Sequence, residues 1–216
     1  MSDLLPLFPL PNVVLFPNVF LPLHIFEPRY REMVADALAS DRLIGMVLLR
    51  PGWEHDYEGR PPVYPIGCSG VITHVERLAD GRYNIVLRGL ERFRVAREDH
   101  TRSYRRAVVD SLTERQLAAD DRAVLRNQRA KLEALLAPEV EKAGPSETSG
   151  AKGNTSSAMS DEDLVNALAQ YLELEPIEKQ ALLERDSLRG RAESLVELLE
   201  MKTLIARTPG MSNVAH

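Results

Sequence analysis

Within its first eleven residues the chain sets three prolines into an apolar run, Leu5-Pro6-Leu7-Phe8-Pro9-Leu10-Pro11. Proline fixes φ, lacks an N–H and clashes with the preceding helical turn, so no regular helix passes through this segment. A signal-peptide helix is excluded on the same ground. Asp3 is also the first charged residue, with no basic region ahead of the apolar stretch. Extended structure remains, and proline in a strand belongs at an edge or a strand end. The run is expected to be the first strand of a β-rich unit, its prolines keeping its edge from pairing further.

The following residues keep this character. Val13-Val14-Leu15 and Val19–Ile25 are β-branched and apolar, punctuated by Pro17 and Pro22, and read as edge strands or strand ends. One helix comes next. Pro28 suits its first position, Glu27 sits at the cap, and Tyr30, Met33, Val34, Ala37 and Leu38 recur at helical spacing until Ser40-Asp41 ends it. Leu43–Leu49 reads as a buried strand, and residues 50–65 as a polar loop rich in proline and glycine. Ile66–Leu78 and Arg82–Arg88 flank Asp80-Gly81, a hairpin turn signal. Within the first of these, Gly67-Cys68-Ser69-Gly70 reads as a close-packed stretch with little room for side chains. Gly89 breaks the run. Arg92–Arg97 then alternates Phe93 and Val95 with arginines, as a half-buried strand does, and Tyr104–Leu112 is the last strand. Short strands, one inserted helix and no βαβ rhythm argue for a small barrel or sandwich.

The second half changes period. Leu117, Val124, Leu125, Leu132, Leu135 and Leu136 mark a helix from about residue 114 to 142. Residues 143–160 are small and polar and read as a flexible loop. Ser160 with Asp163 resembles a capping box, opening a helix with Leu164, Leu168, Tyr171 and Leu172 on one side. Pro176 starts a helix through Arg185. Ser187 caps another, with Ala192, Leu195, Val196 and Leu199 inward, which Pro209-Gly210 ends.

No catalytic set emerges. There is no Gly-x-x-x-x-Gly-Lys, and Lys152-Gly153 lies in the polar loop, so P-loop ATP hydrolysis is not expected. His24, His55, His74, His100 and His216 are scattered. His24 and Glu27 stand three apart across a strand-to-helix junction, without the further ligands a zinc site needs, so no metal or other cofactor is expected. Ser69 is not in a Gly-x-Ser-x-Gly elbow, and the five lysines, Lys131, Lys142, Lys152, Lys179 and Lys202, all lie in the helical half. The chain is read as non-enzymatic.

Charge narrows the partners. The net charge is −5. Residues 1–112 hold 14 basic and 14 acidic side chains, and the excess of acid lies beyond them, so neither half resembles a general polyanion binder. Locally, residues 88–106 carry Arg88, Arg92, Arg94, Arg97, Arg102, Arg105 and Arg106 against Glu91, Glu98 and Asp99, with Phe93 and Tyr104 interleaved. This is the best sequence argument for RNA, although alternation alone places Arg88, Arg92 and Arg94 on a solvated strand face. Trp53, the only tryptophan, shares the 50–65 loop with His55 and Tyr57. It reads either as an anchor for a partner pocket or as packing for its own loop. The single cysteine, Cys68, excludes an intrachain disulfide and suits a reducing compartment, and no run approaches the roughly 18 apolar residues of a spanning helix. A cytoplasmic protein with no membrane partner is expected.

A family resemblance covers about residues 4–205. The run Leu5-Pro-Leu-Phe-Pro-Leu-Pro-Asn-Val-Val-Leu-Phe-Pro17, then Leu21-Pro-Leu-His-Ile-Phe-Glu-Pro-Arg-Tyr30, resembles the N-terminal domain of Lon-type ATP-dependent proteases. Ile66-Gly67, Asp80-Gly81, Leu87-Arg-Gly-Leu-Glu-Arg-Phe-Arg-Val95 and Glu178-Lys-Gln-Ala-Leu-Leu-Glu184 follow in the same order. The resemblance implies an α+β chain: a PUA-like β pseudo-barrel with one inserted helix over residues 1–112, then a C-terminal helical bundle subdomain over 113–208 containing the loop 143–160, and a tail at 209–216. It implies a stand-alone form without ATPase or peptidase domains that recognises unfolded or tagged protein clients, as an adaptor or a regulator of a protease partner in quality control. Trp53, His55, Tyr57, Arg92 and Arg94 are the candidate partner-binding residues. The competing reading is a PUA-like RNA-binding module using the Arg88–Arg106 region. Oligomeric state is left open.

Overall fold

The position of each proline determines how the first strand joins the sheet. The computed structural model describes residues 4–57, 59–114, 118–143 and 159–207. Strand β1 (Leu5–Leu10) is followed by β2 (Phe20–Ile25), helix α1 (Pro28–Leu38), β3 (Leu43–Leu48), β4 (Ile66–Arg77), β5 (Tyr83–Asp99) and β6 (Arg105–Leu112). β1 runs parallel to β3 from Leu7↔Gly45 to Leu10↔Leu48, and antiparallel to β6 from Leu5↔Ala107 to Leu7↔Arg105. It is therefore an interior strand, which corrects the expectation of an edge. Backbone alternation explains why. Leu10 accepts from the Leu49 N–H at 3.0 Å, on the β3 side, so even-numbered residues of β1 face β3 and odd-numbered ones face β6. Pro6 faces β3 one residue before that pairing begins, and Pro9 faces β6 after that pairing has ended. Neither missing N–H falls inside a ladder.

Strand β2 is the edge that proline predicts. It pairs with β5 alone, from Phe20↔Arg88 to Ile25↔Tyr83. The Val19 carbonyl accepts from Gly89 N–H at 2.8 Å, so Pro22 faces outward, where a missing donor breaks nothing. The outward Phe20 carbonyl takes the Tyr171 hydroxyl at 3.0 Å. Val13-Val14-Leu15, expected as strand, forms none. Val14, Leu15 and Phe16 are instead buried in an irregular segment.

Gly89 does not interrupt β5, which runs unbroken through it. The residue is held between the Asn18 N–H and the Val19 carbonyl, and a Cβ there would run into the Phe16 carbonyl. Glycine here admits a second backbone rather than ending a strand. The length of β5 lets it serve three neighbours. Arg92, Phe93 and Arg94 pair with Cys68, Gly67 and Ile66 of β4 and also with Leu112, Ser111 and Asp110 of β6. The strand order is β2-β5-β4-β3-β1-β6, with β6 returning to β5. The sheet is thus a mixed six-stranded pseudo-barrel and not a closed barrel, and β2 keeps an unpaired edge among the described residues. Leu5, Leu7, Val47, Phe93 and Ala107 form a core cluster inside it. The Phe93 ring occupies the space left by two glycines: a Cβ on Gly45 or Gly67 would sit 2.8 or 2.7 Å from its Cζ.

The helices are α2 (Ala119–Ala143), α3 (Asp161–Tyr171), α4 (Pro176–Leu183) and α5 (Leu188–Arg207). They do not form the single 113–208 subdomain expected. The chain separates into one unit of Met1–Thr113 with Asn166–Glu184, and a second of Glu114–Val165 with Arg185–His216. Side-chain bonds to the strand unit explain the first grouping. Gln170 Oε1 accepts from the Phe16 N–H at 3.2 Å, and Gln180 Nε2 donates to the Ile66 carbonyl at 3.0 Å. The expected α3 face also shifts. Val165, Asn166, Ala169 and Gln170 are buried while Tyr171 is exposed, because Gln170 is drawn inward by its bond. In the second unit, Leu125 and Leu132 of α2 and Ala192, Leu195 and Val196 of α5 are buried. Arg191, fully buried, pairs with Glu114. Ser160 and Ser187 cap as expected, accepting from Asp163 N–H at 3.0 Å and Gly190 N–H at 3.1 Å. The expected loop at 143–160 and tail at 209–216 lie, but for the loop's ends, outside the described residues, as does Leu117.

Candidate functional site

The 50–65 loop is pinned along its length. Leu49 bridges Val63, and Arg50 N–H donates to the Pro62 carbonyl at 2.9 Å. Arg105 of β6 donates to the Pro61 carbonyl at 2.6 Å, and Arg60 donates to the Asp99 and Arg102 carbonyls at 3.3 and 3.1 Å. Within the loop, Trp53–Asp56 makes one 3₁₀ turn. It places the Trp53 ring against Tyr57 at 5.4 Å between centroids, inclined at 64°. Both rings are half-buried, and His55 stands exposed on the same turn.

Helix α1 braces this turn from below. The Tyr57 hydroxyl donates to Glu27 at 2.5 Å, and Arg29 donates to the other Glu27 oxygen at 3.0 Å and to the Tyr57 carbonyl at 3.2 Å. The Arg29 guanidinium also lies 5.1 Å from the Tyr57 ring centroid and 4.7 Å from that of Tyr30. Glu27, expected as a cap, makes no side-chain cap bond and is used here instead. Burial and the Glu27 carboxylate push the Tyr57 hydroxyl pKa up. Burial opposes the charge of Arg29, yet Tyr30 and Glu27 hold its pKa above the ordinary value.

Beneath the turn lies a cavity of about 160 Å³. Arg29, Arg60 and Arg105 line it with Tyr30, Tyr104 and Ser103. Arg105 is clamped by Glu98 through bonds of 3.0 and 2.7 Å, and the Tyr104 hydroxyl donates to Asp36 at 2.7 Å. Burial, reinforced by Asp36, pushes the Tyr104 pKa up to about 12.

The candidate residues thus separate. Trp53, His55 and Tyr57 share one turn. Arg94 is exposed on β5. Arg92 is 3% exposed, and its Nη1 donates to the Leu183 carbonyl at 3.0 Å, which corrects the solvated face expected for it. Of the other arginines in the basic run, Arg102 pairs with Glu32, Arg105 with Glu98 and Arg106 with Asp99, while Arg88 and Arg97 are exposed. Sequence reasoning missed Glu27, Arg29, Tyr30 and Arg60. Glu27 and Tyr57 are 30 residues apart, and no periodicity reports that a loop returns to a helix cap. Among the described residues, no group of three or more His, Cys, Asp and Glu side chains is arranged to hold a metal ion, and no helix is long and apolar enough to cross a membrane.

Solved structures share the fold. The N-terminal domain of the Mycobacterium avium complex Lon protease aligns with a TM-score of 0.67 at 18% identity, over 92% of this chain and 98% of that one. A Lon N-terminal domain protein from Xanthomonas campestris aligns at 0.56 and 21% identity, over 96% of this chain and 99% of that one. The fold is therefore that of Lon N-terminal domains. The model of the ATP-dependent protease La (Lon) substrate-binding domain matches residues 4–201, and the chain belongs to that family of substrate-binding domains. Among curated relatives, Lon protease 2 of Myxococcus xanthus is 30% identical over 211 residues, covering 95% of this chain and 24% of that protein. The Lon protease of Anaeromyxobacter dehalogenans is 28% identical over 207 residues, covering 94% and 24%. The chain spans about a quarter of the length of these relatives.

Proposed function

We propose that this chain recognises unfolded or tagged polypeptides in the cytoplasm through the turn that carries Trp53 and Tyr57, as an adaptor or regulator beside a protease, without catalysis of its own. The observation that carries the reading is the bracing of this turn. Glu27 and Arg29 hold Tyr57, and the Trp53 ring packs on it, both rings partly open to solvent before any partner arrives. Rigid aromatic side chains offer large contact area at low entropic cost. Family membership supplies the coarser role of substrate recognition. Fluorescence anisotropy of a labelled, permanently unfolded polypeptide tests it. Trp53→Ala is expected to weaken binding about tenfold or more, as loss of a central aromatic anchor does. Unchanged affinity, with unchanged melting temperature, would remove the turn from the binding surface.

RNA is the second reading, and one observation favours it: Arg88, Arg94 and Arg97 are exposed along β5 with no carboxylate paired to them among the described residues. Three phosphate contacts to a single strand predict a slope of about −2 in log affinity against log salt. A flat dependence, or no binding at low salt, ends this reading.

A further inference from the structure

The cavity beneath the aromatic turn has an unbalanced charge. Arg29 is offset by Glu27 at 3.0 Å and Arg105 by Glu98 at 2.7 Å. Arg60 differs: among the described residues its Nη1 and Nη2 donate to backbone carbonyls, its Nε–H makes no bond, and no carboxylate pairs with it. A second group there has no hydrogen-bond partner among the described residues. Tyr30 is 4% exposed, packed on Phe8 at 4.5 Å, yet its hydroxyl makes no hydrogen bond to a described residue. The hydroxyl oxygen itself is not sealed from solvent, so it stays open to an acceptor brought by a ligand. Tyr30 lines the cavity together with Arg29, Arg60 and Arg105. Pro9, Leu49 and Pro61 supply apolar wall.

We propose that this cavity binds a carboxylate carried by a polypeptide, with the Arg60 guanidinium as its charge partner and the Tyr30 hydroxyl as its hydrogen-bond donor. One cation without a carboxylate partner among the described residues matches a monoanion, whereas a phosphate dianion would be left half-compensated beside Glu27 and Glu98. The volume, about 160 Å³, admits a carboxylate with a short aliphatic stem and not a folded surface. Tyr30 remains a donor through the neutral range: burial is the largest cause pushing its pKa up to about 12, against the pull of Arg29. The carboxylate is either a free chain terminus or an acidic side chain. The inference rests on the reading of the chain as a polypeptide-recognition module and names the chemistry that one part of its surface selects.

Trp53 reports on the site, because its ring abuts Tyr57, which lines the cavity. Three short apolar peptides are titrated into the full chain while Trp53 fluorescence is followed: one with a free C-terminus and no acidic residue, its C-terminal amide, and the amide carrying one internal glutamate. Acetate and inorganic phosphate are titrated separately. The expected result is a saturable response to the free acid or to the glutamate peptide, whichever source applies, with the plain amide about tenfold weaker or more. Arg60→Gln abolishes that preference, and Arg60→Lys, which restores the charge, retains part of it should the glutamine variant melt early. Tyr30→Phe weakens the preferred peptide by about three- to tenfold. Equal binding of all three peptides overturns the carboxylate pocket but leaves polypeptide recognition standing. Saturation by acetate with no peptide bound overturns the polypeptide ligand and counts against the wider reading. Phosphate saturating at lower concentration than acetate also overturns the assignment.

Discussion

Arg92 and Arg94 lie two residues apart on β5 and meet opposite environments. Arg92 is 3% exposed and donates to the Leu183 carbonyl, whereas Arg94 is exposed. A charge-assisted hydrogen bond in a buried setting contributes about 2 to 3 kcal/mol, and the guanidinium's aliphatic stem adds packing. Arg92→Ala is therefore expected to cost at least that in urea unfolding, and Arg94→Ala less than about 0.5 kcal/mol. Equal losses would show that the buried bond of Arg92 adds nothing to stability. Asp99 contributes an acid-sensitive part of the stability at the same scale. Hydrogen bonds from Thr101 and then Arg106 hold its pKa down to about 2. In the unfolded chain it titrates near 3.9, so on acidification the unfolded state takes up the proton first. Its contribution is thus complete above about pH 4 and disappears as pH falls towards about 2. Asp99→Asn should flatten that part of the stability curve. An unaltered acid limb in the variant would contradict the assignment.

At the scale of elements, β1 and β5 show how small residues govern a sheet. Pro6 and Pro9 were legible as strand-compatible but not as interior, because that depends on where two other strands stop pairing. Gly89 was legible as a backbone exception but not as the crossing point of Asn18 and Val19. Gly45 is the sharper test. A methyl group there would stand 2.8 Å from both Leu5 Cδ2 and Phe93 Cζ, well inside contact distance. Gly45→Ala should overpack the core and cost about 1 to 3 kcal/mol by chemical denaturation. A compensating Phe93→Leu in the same chain should recover part of that loss. An additive double variant would mean that the ring is not what the methyl meets.

At the scale of the whole molecule, the strand unit is not contiguous. Asn166–Glu184 supplies it with Gln170, Gln180 and the Leu183 carbonyl, and buries Leu182 and Leu183. Burying two leucines contributes about 3 to 6 kcal/mol before the hydrogen bonds are counted, which is a large share of a domain's stability. A fragment ending at residue 113 is therefore expected to bind a hydrophobic dye and to melt earlier, with a broader transition than the full chain. A fragment that melts as cooperatively, at the same temperature, would show that the segment is dispensable.

Much of this protein was determined by residues acting on their near neighbours. The order of β-rich and helical parts, α1 with Pro28 at its start, the hairpin at Asp80-Gly81 and the caps at Ser160 and Ser187 depend on local backbone preference, and each appears where periodicity and turn chemistry place it. The proline-spaced opening, with the blocks that follow it in order, carried the family resemblance. Tertiary structure alone decided the interior position of β1, the burial of Arg92, the inward turn of Gln170 and the return of Asn166–Glu184 to the strands. It alone brought Tyr57 to Glu27 and set Arg60, bonded to backbone carbonyls alone among the described residues, beside Tyr30 around one cavity. These depend on which distant segments share a wall, and a polar side chain's partner across 30 or 91 residues leaves no periodic trace in the chain.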